Sequence, residues 1–132
     1  MKYMLLMQGP LGEYKKNLES WSPEVLQRHM RFMHELNAEL NDSGELVEAQ
    51  GLAMPETARI VQAQKDGSVV ITDGPFAEAK EFLAGYWILD CESEERAMAV
   101  AAKASAAPGP GGEPVCMPIE VRQVMSVSAE EM

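Results

Sequence analysis

Residues 85–91, GYWILDC, constrain the fold more than any other stretch of the chain. Because large apolar residues follow one another here, a strand formed by this stretch is apolar on both faces. Each face must then be covered, either by helices or by a second sheet. The 132 residues suit one domain of ordinary size. We expect residues 1–127 to form that domain and residues 128–132 to be a disordered tail.

Charge and composition argue against several classes of function. Acidic residues number 21 against 11 basic ones, which gives a formal charge of −10, and no basic block occurs. Such a chain repels phosphate backbones, so we expect no direct binding to nucleic acid. The apolar runs are too short for a signal peptide or a membrane span, so a cytoplasmic protein without membrane contact is predicted. Cys91 and Cys116 are isolated in the sequence and are expected to stay reduced.

The pattern of apolar residues and turn signals predicts the order β-α-β-β-β-β-α-β. An apolar strand is predicted over Lys2–Gln8. Ser22 and Pro23 are a strong helix start, and that helix is expected to run to about Asn41. Ser93 caps the second predicted helix. The other strands are predicted at residues 45–52, 58–64, 68–72, 85–91 and 117–125, and the polar residues 12–20 are predicted to be a loop.

Two of the predicted strands form a hairpin that is inserted into a simpler plan. Residues 58–64 and 68–72 flank Lys65-Asp66-Gly67, and Asp-Gly is a strong turn signal. Without this hairpin the order is βαββαβ, an α+β ferredoxin-like fold with two helices on one face of an antiparallel sheet. A second copy of the chain is the simplest cover for the other apolar face. We therefore expect a homodimer formed by sheet-to-sheet packing.

The two histidines of the first predicted helix fall in different environments. Residues placed at 100° steps put an apolar stripe on one face. His29 falls near the middle of this stripe, whereas His34 falls at its far edge. The stripe consists of Val25, Leu26, Phe32, Met33, Leu36 and Leu40.

The loop DGPFAEAKE, residues 73–81, has two interpretations. Asp73 is suited to an Asx turn, Gly74 permits a positive φ, and the following proline restricts the backbone. Phe76 can fold back as an apolar lid. A turn does not explain the charged residues that follow, so Asp73 is either a turn residue or a functional carboxylate.

The longer segment ITDGPFAEAKEFLAGYWILD, residues 71–90, resembles the signature of the YCII-related family, in the branch named for its Asp-Gly-Pro-Phe motif. The resemblance extends from MKYMLLM at the N-terminus to IEVRQVM near the C-terminus. It implies a dimeric α+β barrel built on the ferredoxin-like plan. It also implies a histidine–aspartate acid–base pair in a cleft between the first predicted helix and the sheet, and an association with extracytoplasmic-function sigma factors.

Asp73 matches the aspartate of the motif, and the resemblance leaves two candidates for its histidine. The helix-face argument favours His29, while the approximate register of the helix favours His34. A paired imidazole and carboxylate suit proton transfer on a small, carbonyl-containing metabolite. This hypothesis makes the protein a small enzyme that uses no cofactor. No metal is expected, because two dispersed histidines do not form a metal site.

Five further residues are candidates for ligand binding. Phe76, Tyr86 and Trp87 are candidates to hold a planar ligand, although Tyr86 and Trp87 are explained more simply as core or dimer-interface aromatics. Arg59 and Arg122, on predicted strands, can clamp an anion or form ordinary surface ion pairs. The alternative hypothesis is a non-catalytic module that senses a ligand or binds a partner in sigma-factor-linked transcriptional regulation.

Overall fold

A computed structural model of the chain describes residues 1–74 and 81–125. Phe76 and the predicted tail, residues 128–132, lie outside this range. The described elements are β1 (Lys2–Pro10), α1 (Leu11–Ser20), α2 (Pro23–Asp42), β2 (Leu46–Gly51), a 3₁₀ turn (Pro55–Thr57), β3 (Arg59–Ala63), β4 (Val69–Asp73), β5 (Glu81–Asp90), α3 (Glu94–Ser105), a second 3₁₀ turn (Pro110–Gly112) and β6 (Ile119–Gln123).

The main sheet is antiparallel and has the strand order β2-β5-β1-β6. Its register is defined at the centre, where Leu5 of β1 lies between Trp87 of β5 and Val121 of β6. This order places the first and third strands of the βαββαβ plan in the middle of the sheet. The predicted α+β, ferredoxin-like fold is confirmed.

The helices cover one face of this sheet, and the hydrophobic core lies between the helices and the sheet. Both long helices begin as predicted, because Ser22 Oγ accepts the Val25 N–H at 3.3 Å and Ser93 Oγ accepts the Arg96 N–H at 3.1 Å. None of the helices within the described ranges is both long and apolar enough to cross a membrane. The buried cluster consists of Tyr3, Leu5, Leu36, Leu40, Trp87, Leu89, Cys91, Ala97, Val100, Ala101 and Ala104.

The loop predicted over residues 12–20 is wrong, because Leu11–Ser20 forms the helix α1. Three of its larger side chains, Leu11, Tyr14 and Leu18, recur at helical spacing, and this weak stripe lies among many polar residues. The Tyr14 ring packs edge-on against Phe82 of β5, with 4.9 Å between the ring centroids. Tertiary packing therefore supports a helix whose own composition is mostly polar.

The predicted hairpin is confirmed, and it forms a separate two-stranded ribbon. Ser68 N–H donates to the Asp66 carboxylate at 2.9 Å, and Gly67 adopts a φ of +90° in the turn. One face of the ribbon carries the cross-strand pair Val61 and Ile71, whose side chains are 64% and 65% exposed. The ribbon contributes no residue to the buried cluster of the described chain.

Candidate functional site

A cavity of about 190 Å³ lies where three helices meet the end of β1. It is called the His29 cavity below. Its walls come from the end of β1, from α1 and α2, from the C-terminal end of α3, and from the segment that leads into β6. The lining residues are Met7, Gly9, Pro10, Glu13, Tyr14, Asn17, Leu18, Trp21, Leu26, His29, Met30, Met33, Ala104, Ser105, Ala107, Val115, Cys116, Met117 and Pro118.

His29 is held in this wall by a hydrogen bond that defines its neutral tautomer. Its Nδ1 lies 3.0 Å from the carbonyl oxygen of Pro108. A carbonyl oxygen only accepts hydrogen bonds, so Nδ1 must carry the proton. In the neutral ring the lone pair is then on Nε2, which makes Nε2 the nitrogen able to accept a proton.

Aromatic contacts fix the orientation of the rings around the cavity. Trp21 meets the imidazole of His29 edge to face, with 5.2 Å between the centroids and 61° between the planes. Trp21 directly follows α1, and its N–H donates to the carbonyl of Asn17 at 3.0 Å. The His29 ring is therefore confined on one side by the indole and on another by the Pro108 backbone.

The segment after the Gly/Pro-rich loop is fastened to the end of α3. Cys116 N–H donates to the carbonyl of Ser105 at 2.9 Å, and Ser105 Oγ donates to the carbonyl of Met117 at 2.7 Å. Cys116 adopts a φ of 61°, a left-handed conformation that is uncommon for residues other than glycine. These contacts bring a thiol-bearing residue into the cavity wall.

The sequence did not reveal the contributions of Glu13, Trp21 and Cys116 to this wall. Glu13 and Trp21 depend on α1, whose helical stripe is weak in the sequence. Cys116 is 87 residues from His29 in the sequence, and no local pattern links the two. The spacing of apolar residues in α2 is the sequence signal that does point to this wall, since it places His29 on the same helix face as Leu26 and Met33.

Asp73 lies at the end of the exposed ribbon, outside this cavity. Its Oδ1 is 3.3 Å from Nε of Arg59, and its side chain is 87% exposed. The next residue, Gly74, donates its N–H to the carbonyl of Ala58 at 2.9 Å. Within the described ranges no hydrogen bond joins Asp73 to His29 or to His34. The acid–base pair stays a prediction.

The remaining predicted site residues are spread over three regions. His34 is exposed on the outer side of α2, beside Arg31 and Glu35. Trp87 is buried in the core, where its indole N–H donates to Asn37 Oδ1 at 2.7 Å. The catalytic role of His34 and the ligand-binding role of Trp87 stay predictions.

Tyr86 and Arg122 lie on the sheet face opposite the helices, since Tyr86 pairs with Leu6, and Arg122 with Met4. Burial, with a smaller contribution from the Glu48 carboxylate, raises the pKa of the Tyr86 phenol above its ordinary value. Both residues therefore lie on the other side of the sheet from the His29 cavity, and any ligand that they hold would be a separate one.

Comparisons with known proteins place the chain in a family without giving it an activity. A family model described as a YCII-related domain matches residues 1–111. An uncharacterized protein of Rhizobium meliloti (strain 1021) is 34% identical over 79 residues, which is 60% of this chain. The alignment spans 63% of that relative, less than two thirds of its length.

Proposed function

The chain belongs to the YCII-related domain family, and from this premise we propose that it binds a small molecule in the His29 cavity and transfers a proton with His29. The substrate would be a small compound with a carbonyl group, whose neighbouring carbon loses a proton to Nε2 and regains one. The narrower placement in the Asp-Gly-Pro-Phe branch is part of this proposal and rests on residues 73–76.

The hydrogen bond between His29 and Pro108 is the observation that carries the proposal. A general base needs a lone pair at a known atom and a partner that holds the ring in place. The carbonyl of Pro108 provides such a partner, because it holds the proton on Nδ1 and so places the lone pair on Nε2. The cavity beside the ring supplies room for a ligand of a few heavy atoms.

Hydrogen–deuterium exchange at the carbons next to the carbonyl of cyclohexanone, followed by NMR in heavy water, tests this chemistry. We expect the protein to accelerate the exchange and His29→Asn to lower the enzymatic rate by about 10²–10⁴-fold. The asparagine amide can still donate to Pro108 but has no basic nitrogen. His34→Asn, on the exposed side of the same helix, is the matched control and should keep the full rate.

Two results would contradict the proposal: an equal loss in both histidine variants, or no acceleration by the wild-type protein although cyclohexanone binds. The predicted pairing of Asp73 with a histidine belongs to the same proposal and rests on the motif. Asp73→Asn tests it in the same assay. A loss close to that of His29→Asn would support the pair, and an unchanged rate would leave Pro108 as the group that orients the ring.

We also propose that two copies pack sheet to sheet, because the face opposite the helices has an apolar centre. Met4 and Leu6 of β1 lie beside Ile88 and Tyr86 of β5 on this face, and all four are only partly buried. In the described part of the chain, none of the four belongs to the buried cluster. A second copy would remove this surface from water, and the apolar ribbon β3–β4 offers further surface to the same assembly.

Sedimentation equilibrium tests this assembly. The wild-type protein is expected at twice the 14.5 kDa mass of one chain, and Leu6→Glu at the mass of one chain, because the carboxylate would be buried without a partner. Met98→Glu introduces the same charge at an exposed position of α3 and should stay dimeric. A monomeric wild-type protein, or a dimeric Leu6→Glu variant, would refute sheet-to-sheet packing.

The second candidate function is ligand binding without catalysis, and the hydrogen-bond partner of His29 favours it. The partner of His29 is a backbone carbonyl, whereas the predicted acid–base pair requires a carboxylate. In this case the cavity binds its ligand without turnover and passes the signal to a protein partner, for which the family resemblance suggests a sigma factor. Binding of cyclohexanone without any acceleration of exchange is the result that would favour this candidate.

A further inference from the structure

The wall of the His29 cavity carries one carboxylate and, among the described residues, no lysine or arginine. Its one histidine, His29, is bonded through Nδ1 to the carbonyl of Pro108. We infer that the cavity selects a small amine that carries a ring, in its positively charged form, over a carboxylate or phosphate that carries the same ring. This inference rests on the proposed role of the cavity as a ligand site, and it adds the chemical class of the ligand. The carboxylate is that of Glu13, in the first turn of α1.

Charge is the first reason for this selectivity. An anion that entered the cavity would lose water without meeting a lysine or an arginine in the described wall, and the Glu13 carboxylate would repel it. Helix α1 carries two lysines, Lys15 and Lys16, and neither lines the cavity. Lys15 is paired with Glu56. The whole chain carries a charge of −10, which disfavours the approach of an anion from a distance. An ammonium group also loses water on entry, but the Glu13 carboxylate and the net charge of the chain attract it.

The helix ends around the cavity do not reverse this preference. The N-terminal end of α1 carries a partial positive charge, but Glu13 in its first turn opposes it. The C-terminal end of α3, at Ala104 and Ser105, contributes the opposite partial charge to the same wall. The helix dipoles therefore offset each other, and the side chain of Glu13 decides the sign.

Shape and chemistry of the apolar wall suit a ring. The cavity volume of about 190 Å³ slightly exceeds the ~150 Å³ of an engineered apolar cavity that binds benzene. Tyr14 and Trp21 provide aromatic rings, which attract cations by their quadrupoles. The thioethers of Met7, Met30, Met33 and Met117 adapt to the outline of a ligand.

A titration with three matched probes tests the inference. Benzylamine, benzyl alcohol and benzoate share one ring and differ in charge. The indole N–H signal of Trp21 in ¹H–¹⁵N NMR spectra reports binding, and the Trp87 indole, bonded to Asn37 in the core, is the internal reference. We expect benzylamine to bind about tenfold or more tightly than benzoate, with benzyl alcohol between them.

Glu13→Gln is the decisive variant, because it removes the charge and keeps the size of the side chain. In this variant the affinity for benzylamine should fall close to the affinity for benzyl alcohol. Glu19→Gln, on the same helix but outside the cavity wall, should leave the order of the three affinities unchanged. Benzoate binding as tightly as benzylamine, or an order that survives in Glu13→Gln, would overturn the inference and leave the cavity as a ligand site. Failure of all three probes to shift Trp21 would overturn the inference and the proposed site together.

Discussion

Leu89→Ala is expected to lower the free energy of unfolding by about 3–5 kcal/mol. Leu89 lies in the central strand β5 and is 0% exposed, packed under the helices in the buried cluster. Truncation removes apolar contacts and leaves a cavity, because neighbouring strands held by hydrogen bonds cannot close on it. Such a loss is a large part of the ~5–15 kcal/mol by which a domain is stable.

Urea unfolding followed by circular dichroism measures this loss. The matched control is Leu52→Ala, the same change at a residue that is 46% exposed and lies just after β2. This control should stay within about 0.5 kcal/mol of the wild-type protein. Equal destabilisation of the two variants would show that the described core is not where the chain buries its apolar surface.

Glu45→Gln is expected to cost about 2 kcal/mol at neutral pH, through the ion pair that joins the start of β2 to α3. Both carboxylate oxygens of Glu45 accept from the Arg96 guanidinium at 2.8 Å, and Ser43 Oγ donates to the same carboxylate at 2.8 Å. The Arg96 bonds, and then the Ser43 bond, lower the pKa of Glu45 from its ordinary value of 4.5 to about 2. A pKa difference of this size corresponds to a stabilisation of the folded state by about 3 kcal/mol. Screening by solvent around Arg96, whose side chain is 41% exposed, reduces this stabilisation to about 2 kcal/mol.

The sign of the pH dependence follows from the lowered pKa. Because the pKa of Glu45 is lower in the folded protein, its carboxylate stays ionised there at pH values at which the same carboxylate is already protonated in the unfolded chain. The stabilisation is therefore complete above about pH 5 and is lost as the pH falls from 4.5 towards 2. The difference between the wild-type protein and Glu45→Gln should shrink over this window, because the amide does not titrate.

Unfolding midpoints measured at several pH values between 2.5 and 7 test this window. Glu39→Gln breaks the exposed pair of Glu39 with Lys103 and should have a much smaller effect at every pH. A difference between wild type and Glu45→Gln that stays constant from pH 7 to 2.5 would mean that the Arg96 pair does not hold the Glu45 carboxylate ionised.

Local signals in the sequence predicted most of the elements for identifiable reasons. Ser22 and Ser93 mark helix starts because a hydroxyl can accept a free backbone N–H there. Asp66-Gly67 marks the hairpin because the turn needs a residue at positive φ. The helix α1 was missed, since its weak stripe becomes stable only against Phe82 and the core. Short sequence signals therefore predict helix caps and turns well, but they do not predict a helix such as α1 that depends on tertiary packing for its stability.

The candidate site was less predictable than the fold. The helix-face argument separated half-buried His29 from exposed His34, because burial on a helix follows its period. It did not reveal Pro108 as the partner of His29, since the contact joins residues 79 positions apart. The motif predicts Asp73 as the carboxylate of the site, and in the structure the ion-pair partner of Asp73 is Arg59.

The amino-acid sequence alone is enough to predict the α+β class, the order of the strands along the chain, the hairpin and the helix that carries His29. These properties depend on periodicity, capping and turn chemistry, which act over a few residues. Folding in three dimensions brings together α1, the end of α3 and the segment around Cys116, which close a cavity around that histidine, and the sequence does not predict this. The physical reason is that a cavity is a property of packing between distant segments, and no local pattern encodes which of them meet.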